Sequence, residues 1–237
     1  MLFELPEDDI LFPDPELAEP DGLLALGGDL HPDRILSAYL QGIFPWYGDD
    51  GPILWWSPDP RMVLFPDEFR YSRSLRRVVR SGKYEVRVDT AFREVMAACR
   101  DVRKEEGTWI DDDMLEAYCR LHELGFAHAF ETYYQGCLVG GLYGLSVGGY
   151  FAGESMFHTI TDASKVAFVS LVAFCKEHHI GLIDAQQETP HLASLGARPI
   201  SRKDFLRLIS ADDMPASLKN TLRGKWCGWK CHEEGRG

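Results

Sequence analysis

Between Gly148 and Gln186 the chain reads GGYFAGESMFHTITDASKVAFVSLVAFCKEHHIGLIDAQ, an order of residues that few folds accommodate. An aromatic-flanked apolar run ends in Gly153-Glu154-Ser155-Met156-Phe157, and a turn rich in Ser, Thr and Asp follows. Next comes a helical stretch from about Ala163 to His178 that is apolar on most sides and so belongs in a core. A second apolar run ends at Asp184 and Gln186. Two strand-like runs that stop on polar residues, with a buried helix between them, describe a sheet covered by helices. Ligands gather where the strands of such sheets end, which sends Glu154, Asp184 and Gln186 to one cleft.

At 237 residues the chain can bury a substantial core, as one large domain or as a small and a medium one. Its 45% hydrophobic and 26% charged residues are ordinary for a globular protein. No apolar run approaches the roughly 18 residues that span a bilayer. The opening MLFELPEDDILFPDPE is acidic and proline-rich, the opposite of a secretory signal, so a cytoplasmic protein without membrane contact is expected. Six cysteines at wide spacings (99, 119, 137, 175, 227, 231) read as reduced thiols, mostly in the core. Cys227, Cys231 and His232 form only a partial ligand set, too few for zinc. The net charge of −12 argues against nonspecific nucleic-acid binding, so an RNA partner would need a local basic patch.

Residues 1–61 read as a small N-terminal domain. It holds a short strand within Asp21–Leu30, a helix from His31-Pro32-Asp33 to Gln41, and an aromatic concentration. Trp46, Trp55 and Trp56 fall within eleven positions. Trp55 and Trp56 suit a small β core; Trp46, beside the turn Gly48–Gly51, suits either that core or a stacking surface for a base. The main domain is expected over 62–212, with 213–237 as a tail. Arg73, Arg76, Arg77 and Arg80 recur at i, i+3, i+4 and i+7, on one face of a helix whose other face carries Leu75, Val78 and Val79. In an acidic protein that uncompensated stripe points to phosphate. Asp89 or Thr90 is expected to cap a helix over 91–100, and Asp111-Asp112-Asp113 to head another. Ala127 to Ala152 reads as an antiparallel meander, Gly181 to Ala185 as a further strand, and Ser201 to Leu208 as a closing helix.

The chain contains no P-loop and no GxSxG elbow. Gly140-Gly141-Leu142-Tyr143-Gly144 lies between strand-like stretches and opens no helix, so it makes a poor phosphate cradle. Ser155, His191 and Asp184 could compose a triad on paper, but nothing in their spacing joins them. Asp184 and Gln186, two apart on a strand, share a face and suit orienting an amine and polarising a carbonyl; satisfying backbone groups at a strand end is the plainer reading.

The runs PDGLLALGGDL, GIFPW, ILWWSPDPR, EEGTWI, AYCRLHELG, LVGGLYG, GESMF, ASK, LIDAQ and HLASLGA occur in that order. In this the chain closely resembles the leucyl/phenylalanyl-tRNA–protein transferases, from about Phe12 to Leu208. The resemblance implies an α+β architecture, a small N-terminal domain on a larger N-acetyltransferase-like (GNAT-like) domain whose mixed, largely antiparallel sheet is flanked by helices. It implies transfer of Leu, Phe or Met from aminoacyl-tRNA to proteins with N-terminal Arg or Lys, which creates a degradation signal. No metal or other cofactor is implied, and a monomer is the default. Asp184 and Gln186 match the catalytic pair, and Glu154 is expected near the acceptor's N-terminal residue. Trp46 and Trp109 match the tryptophans that grip the terminal adenosine, and the Arg73, Arg76, Arg77, Arg80 stripe matches the cluster that meets the tRNA. Leu142, Phe151, Met156, Leu171 and Ile183 are expected to line the amino-acid pocket. Ala185 and His158 depart from the usual pattern. The rivals are an acyl-CoA-dependent N-acetyltransferase of the same fold, whose glycine-rich pyrophosphate loop is missing from Thr159–Lys165, and a non-catalytic RNA-binding module.

Overall fold

The computed structural model describes residues 2–48, 51–104 and 107–210. The first strands are β1 (Phe3–Leu5) and β2 (Leu23–Gly27); helix α1 (Pro32–Leu40), β3 (Phe44–Pro45) and β4 (Leu54–Trp56) follow. They form a four-stranded sheet in the order β1-β2-β4-β3. Pro32 at the head of α1 gives up no useful donor, and His31 Nδ1 accepts the Asp33 amide there. Ile35, Ala38 and Tyr39, spaced at i, i+3 and i+4, turn α1's apolar face inward with no solvent exposure.

The chain then changes sheets. β5 (Arg61–Leu64) enters a seven-stranded sheet, and α2 (Arg73–Arg80), β6 (Glu85–Val88), α3 (Phe92–Asp101), α4 (Asp112–Glu123) and β7 (Ala127–Tyr134) come next. β8 (Cys137–Val147), β9 (Tyr150–His158), α5 (Ala163–Glu177) and β10 (Leu182–Gln186) follow, and α6 (Pro190–Ser194), β11 (Arg198–Ile200) and α7 (Arg202–Ile209) close the described chain. The order is β11-β5-β10-β9-β8-β7-β6, antiparallel except where β10 lies parallel to β9. The expected mixed, largely antiparallel sheet flanked by helices is thus present. Its one parallel pair is the β9–α5–β10 unit, since a parallel neighbour requires a crossover.

Three features position the cleft. α5 seats directly on β8, because a Cβ at Gly140 would come within 2.6 Å of the Ala163 Cβ. The glycines of LVGGLYG therefore serve close packing. One hydrophobic cluster runs through both sheets, taking in Leu24, Tyr39 and Trp55 together with Val95, Tyr118, Tyr150 and Phe205. The β10 ladder shifts register between Asp184 and Gln186, and Gln186 takes the left-handed φ of 56°. That region is uncommon for a residue with a Cβ.

The structure corrects several expectations. Glu154 lies inside β9, which runs on to His158, and is not at a strand end. The shift at Gln186 breaks the simple alternation that would have put Asp184 and Gln186 on one face. Neither Asp89 nor Thr90 caps α3. Buried Glu131, on β7, accepts the Thr90 and Ala91 amides at 2.9 and 3.0 Å, while Asp89 turns to His128 Nδ1 and the Ala129 amide. α6 and β11 were unforeseen. Cys137 is exposed, at a strand end. Asp111 does cap its helix, accepting the Met114 amide. The turn residues 49–50, residues 105–106 and the expected tail, with Cys227, Cys231 and His232, lie outside the described residues.

Candidate active site

A cleft of about 460 Å³ opens over the junction of β9, β10 and the N-terminal sheet. Glu154, Asp184 and Gln186 all border it, so the convergence expected of the Gly148–Gln186 stretch is met. Trp46 and Trp109 border it as well, and so do Leu142, Met156, Leu171 and Ile183. Phe168 completes the apolar side. Phe151 does not form its wall: the residue is 1% exposed and packs edge-on against Phe130, bracing the apolar side from behind. The β8–β9 ladder shifts at Tyr143/Gly144, and with Glu154 as the extra residue Phe151 and Met156 meet in one hydrophobic cluster.

Glu154 is the carboxylate that opens on the cleft. Its Oε1 accepts from Tyr39 Oη at 2.7 Å and from Gln186 Nε2 at 3.0 Å, and its Oε2 from Tyr118 Oη at 3.4 Å. The two phenolic oxygens are themselves 2.7 Å apart. Burial pushes the Glu154 carboxyl up to about 7, even though the Tyr39 and Gln186 donors favour its charged form. It is thus poised to change charge near neutrality.

Asp184 is placed differently. It is fully buried, and its Oδ1 and Oδ2 accept from Arg61 Nε and Nη2 at 2.8 and 2.7 Å, a bidentate pair. Oδ1 also accepts the Gln186 amide at 2.9 Å. The Arg61 guanidinium packs on the rings of Phe44 and Phe205, 4.7 and 4.6 Å from their centroids. Ser155, Asp184 and His191 all border the cleft, yet the Asp184 oxygens are engaged by Arg61 and the Gln186 backbone, so no Ser–His–Asp relay is assembled.

Trp46 is 40% exposed, unlike the fully buried Trp55. Its ring meets Trp56 edge-on at 5.6 Å, and Trp56 Nε1 donates to the Trp46 carbonyl, which fixes the backbone behind it. The four arginines of α2 are all exposed, and among the described residues none of them forms an ion pair. Leu75 anchors the opposite face of α2 beside Ala163 and Val166 of α5. Stacked Tyr71 and Phe69, and Phe69 against Phe168, connect the head of α2 to the apolar side of the cleft.

Sequence reasoning missed Tyr39, Arg61 and Tyr118. Tyr39 sits 115 residues from Glu154, and Arg61 123 from Asp184. The signal within reach was a tyrosine on α1's apolar face and an arginine ending the run WWSPDPR. Among the described residues no group of three or more His, Cys, Asp and Glu could hold a metal ion, and no helix is long and apolar enough to cross a membrane.

The family model for leucyl/phenylalanyl-tRNA protein transferase matches residues 63–210, and the model for that family's N-terminal domain matches 28–59. The leucyl/phenylalanyl-tRNA–protein transferase of Anaeromyxobacter sp. (strain Fw109-5) is 54% identical over 228 residues, 95% of this chain and 94% of that protein. The protein of the same name from Chromobacterium violaceum is 58% identical over 208 residues, 87% of this chain and 85% of that one. A likeness among solved structures is the GCN5-related N-acetyltransferase from Kribbella flavida, with a TM-score of 0.38 and 11% identity, covering 70% of this chain and 59% of that one.

Proposed function

The chain belongs to the leucyl/phenylalanyl-tRNA–protein transferase family, and from that premise we propose that it is an aminoacyltransferase joining Leu, Phe or Met from aminoacyl-tRNA to a protein N-terminus that begins with Arg or Lys. The observation that carries this is one cleft combining an open carboxylate, an exposed tryptophan and an apolar recess. The reaction is aminolysis of an ester. A C–N bond forms, the ester C–O bond breaks, the terminal ribose hydroxyl leaves with a proton, and the amine loses one.

The ester is already activated, and an α-amino group with a pKa near 7.7–8.0 is partly neutral at cellular pH. The protein's work is then to align amine and carbonyl and to stabilise the developing oxyanion. Glu154 receives the acceptor's N-terminal Arg or Lys, whose side chain carries the positive charge, and Gln186, bonded to Glu154, presents its amide beside the ester carbonyl. Asp184, engaged by Arg61, acts from behind by fixing the Gln186 backbone; that is a revision of the direct hold on the amine expected from sequence.

Trp46 and Trp109 stack on the terminal base, and Arg73, Arg76, Arg77 and Arg80 contact tRNA phosphates. Leu142, Met156, Leu171 and Ile183 receive the amino-acid side chain, with Phe151 as their support. Such a recess separates side chains differing by one methylene by only about 1–3 kcal/mol, so Leu, Phe and Met are accepted together. We assign the activity to the cytoplasm, where aminoacyl-tRNA is made, and to a monomer with two domains, 1–61 and 62–212, and a tail over 213–237.

The deciding experiment offers the purified protein a peptide with N-terminal Arg and either radiolabelled leucyl-tRNA or radiolabelled acetyl-CoA. Label reaching the peptide from leucyl-tRNA alone supports the proposal. Transfer from acetyl-CoA, or tRNA binding without transfer, overturns it.

A further inference from the structure

We infer that Arg61 is a positioning residue for transfer, acting through Asp184 on the backbone bend that aims Gln186; the inference rests on the function proposed above. Arg61 begins β5, and Asp184 of β10 pairs with Val63 of that strand, so Arg61 reaches Asp184 diagonally across adjacent strands. The β10 ladder is regular at Ile183 and Asp184 and shifts before Gln186, whose φ of 56° lies in the left-handed region. A non-glycine residue persists there only where its surroundings over-determine it.

Asp184 supplies that determination. Its Oδ1 accepts the Gln186 amide at 2.9 Å and so closes the bend. With the bend closed, Gln186 Nε2 lies 3.0 Å from Glu154 Oε1. Asp184 can hold this amide only while its carboxylate keeps one orientation, and Arg61 provides it through two parallel bonds of 2.8 and 2.7 Å. A lysine would bring a point charge without the fork.

A second observation is independent of the bend. Arg61 Nη1 is buried with no hydrogen-bond partner among the described residues. An arginine kept fully buried with one donor unmet calls for an explanation beyond stability, because buried ion pairs contribute little net stability over an apolar filling. The rings of Phe44 and Phe205 flank the guanidinium and limit where it can swing. Phe44 also borders the cleft, so the support reaches the substrate space itself.

The test uses the full chain with Arg61→Lys, Arg61→Met, Asp184→Asn and the double variant Arg61→Met/Asp184→Asn, the last of which leaves no uncompensated charge. Two quantities are read: hydrogen exchange of the peptide containing residues 184–187, and transfer of leucine from leucyl-tRNA to the Arg peptide. Arg61→Lys should speed exchange of that peptide at least tenfold and lower kcat at least tenfold, with KM for leucyl-tRNA changed less than twofold. The double variant should lower kcat no further than the worse of its two parents. Unchanged exchange and kcat in Arg61→Lys would overturn the inference, as would losses that multiply in the double variant. Wild-type protein that exchanges slowly at 184–187 yet transfers nothing refutes the proposed function instead.

Discussion

Replacing Glu154 by Gln should make the protein more stable and less active at the same time, with the stability gain depending on pH. The amide keeps the carboxylate's shape: its oxygen can accept from Tyr39 Oη and Gln186 Nε2, and its NH₂ can donate to Tyr118 Oη. What it removes is a buried charge. The carboxyl is pushed from an ordinary 4.5 up to about 7 in the folded chain, chiefly by burial. Below pH 4.5 it is protonated whether the chain is folded or not, and its contribution to stability is fully present. Between pH 4.5 and about 7 the unfolded chain releases the proton while the folded chain keeps it, so stability falls as pH rises. At about 1.36 kcal/mol per unit, the loss reaches about 3 kcal/mol by pH 7 and is flat above. Glutamine does not titrate, so that loss is absent from the variant. Glu131 is also pushed up to about 7, but it is shared by both proteins and cancels in the difference. Urea unfolding of both proteins at pH 4.5, 6, 7 and 8 should show the variant gaining about 3 kcal/mol on wild type across the series. At pH 8, where Glu154 is ionised, transfer to the Arg peptide should fall at least tenfold. A stability difference that stays constant with pH, or a variant that transfers at the wild-type rate, would refute the reasoning.

Three further outcomes are open to direct measurement. Trp46→Ala or Trp109→Ala should raise KM for aminoacyl-tRNA roughly 5- to 150-fold with kcat little altered, since stacking on one base is worth about 1–3 kcal/mol; steady-state kinetics with leucyl-tRNA would detect it. Changing Arg73, Arg76, Arg77 and Arg80 together to Gln should flatten the slope of log affinity against log salt by about 3, at about 0.7–0.9 per phosphate contact. The melting temperature should stay within a few degrees, because all four side chains are exposed. Met156→Ala should enlarge the recess on its β9 side and favour Phe over Leu by about tenfold in competition between the two charged tRNAs, which corresponds to about 1.4 kcal/mol.

Local patterns carried the readings that held. The α2 stripe was visible because a 3.6-residue period places four arginines on one face within eight residues. α5 was visible because its buried positions surround the helix axis. The meander was visible over Ala127 to Ala152, and its first turn falls at Gln135-Gly136, both with positive φ. What escaped was non-local. The turn into α3 is held by Glu131, 40 residues from Ala91, while the nearby Asp89 is engaged by His128 Nδ1 and the Ala129 amide. Asp184 and Gln186 were legible as a pair, yet two-residue alternation could not anticipate a bend held by the Asp184 carboxylate. Similarly, Asp184 read as an open acid because its partner arginine belongs to another strand.

Tyr39 joins the two parts of the molecule. Its hydroxyl reaches Glu154 from α1, its carbonyl accepts from Tyr150 Oη at 2.7 Å, and its ring lies in the cluster that runs through both sheets. The opening quarter of the chain is therefore no detachable accessory. A fragment starting at β5 would keep all seven strands of the larger sheet, yet it would lose Phe44, Trp46 and the phenol that steadies Glu154. Supplying residues 1–60 as a separate peptide should restore what the fragment lacks, and light-up reporters split at this seam would then register docking of the two pieces and reconstitution of the cleft as one event.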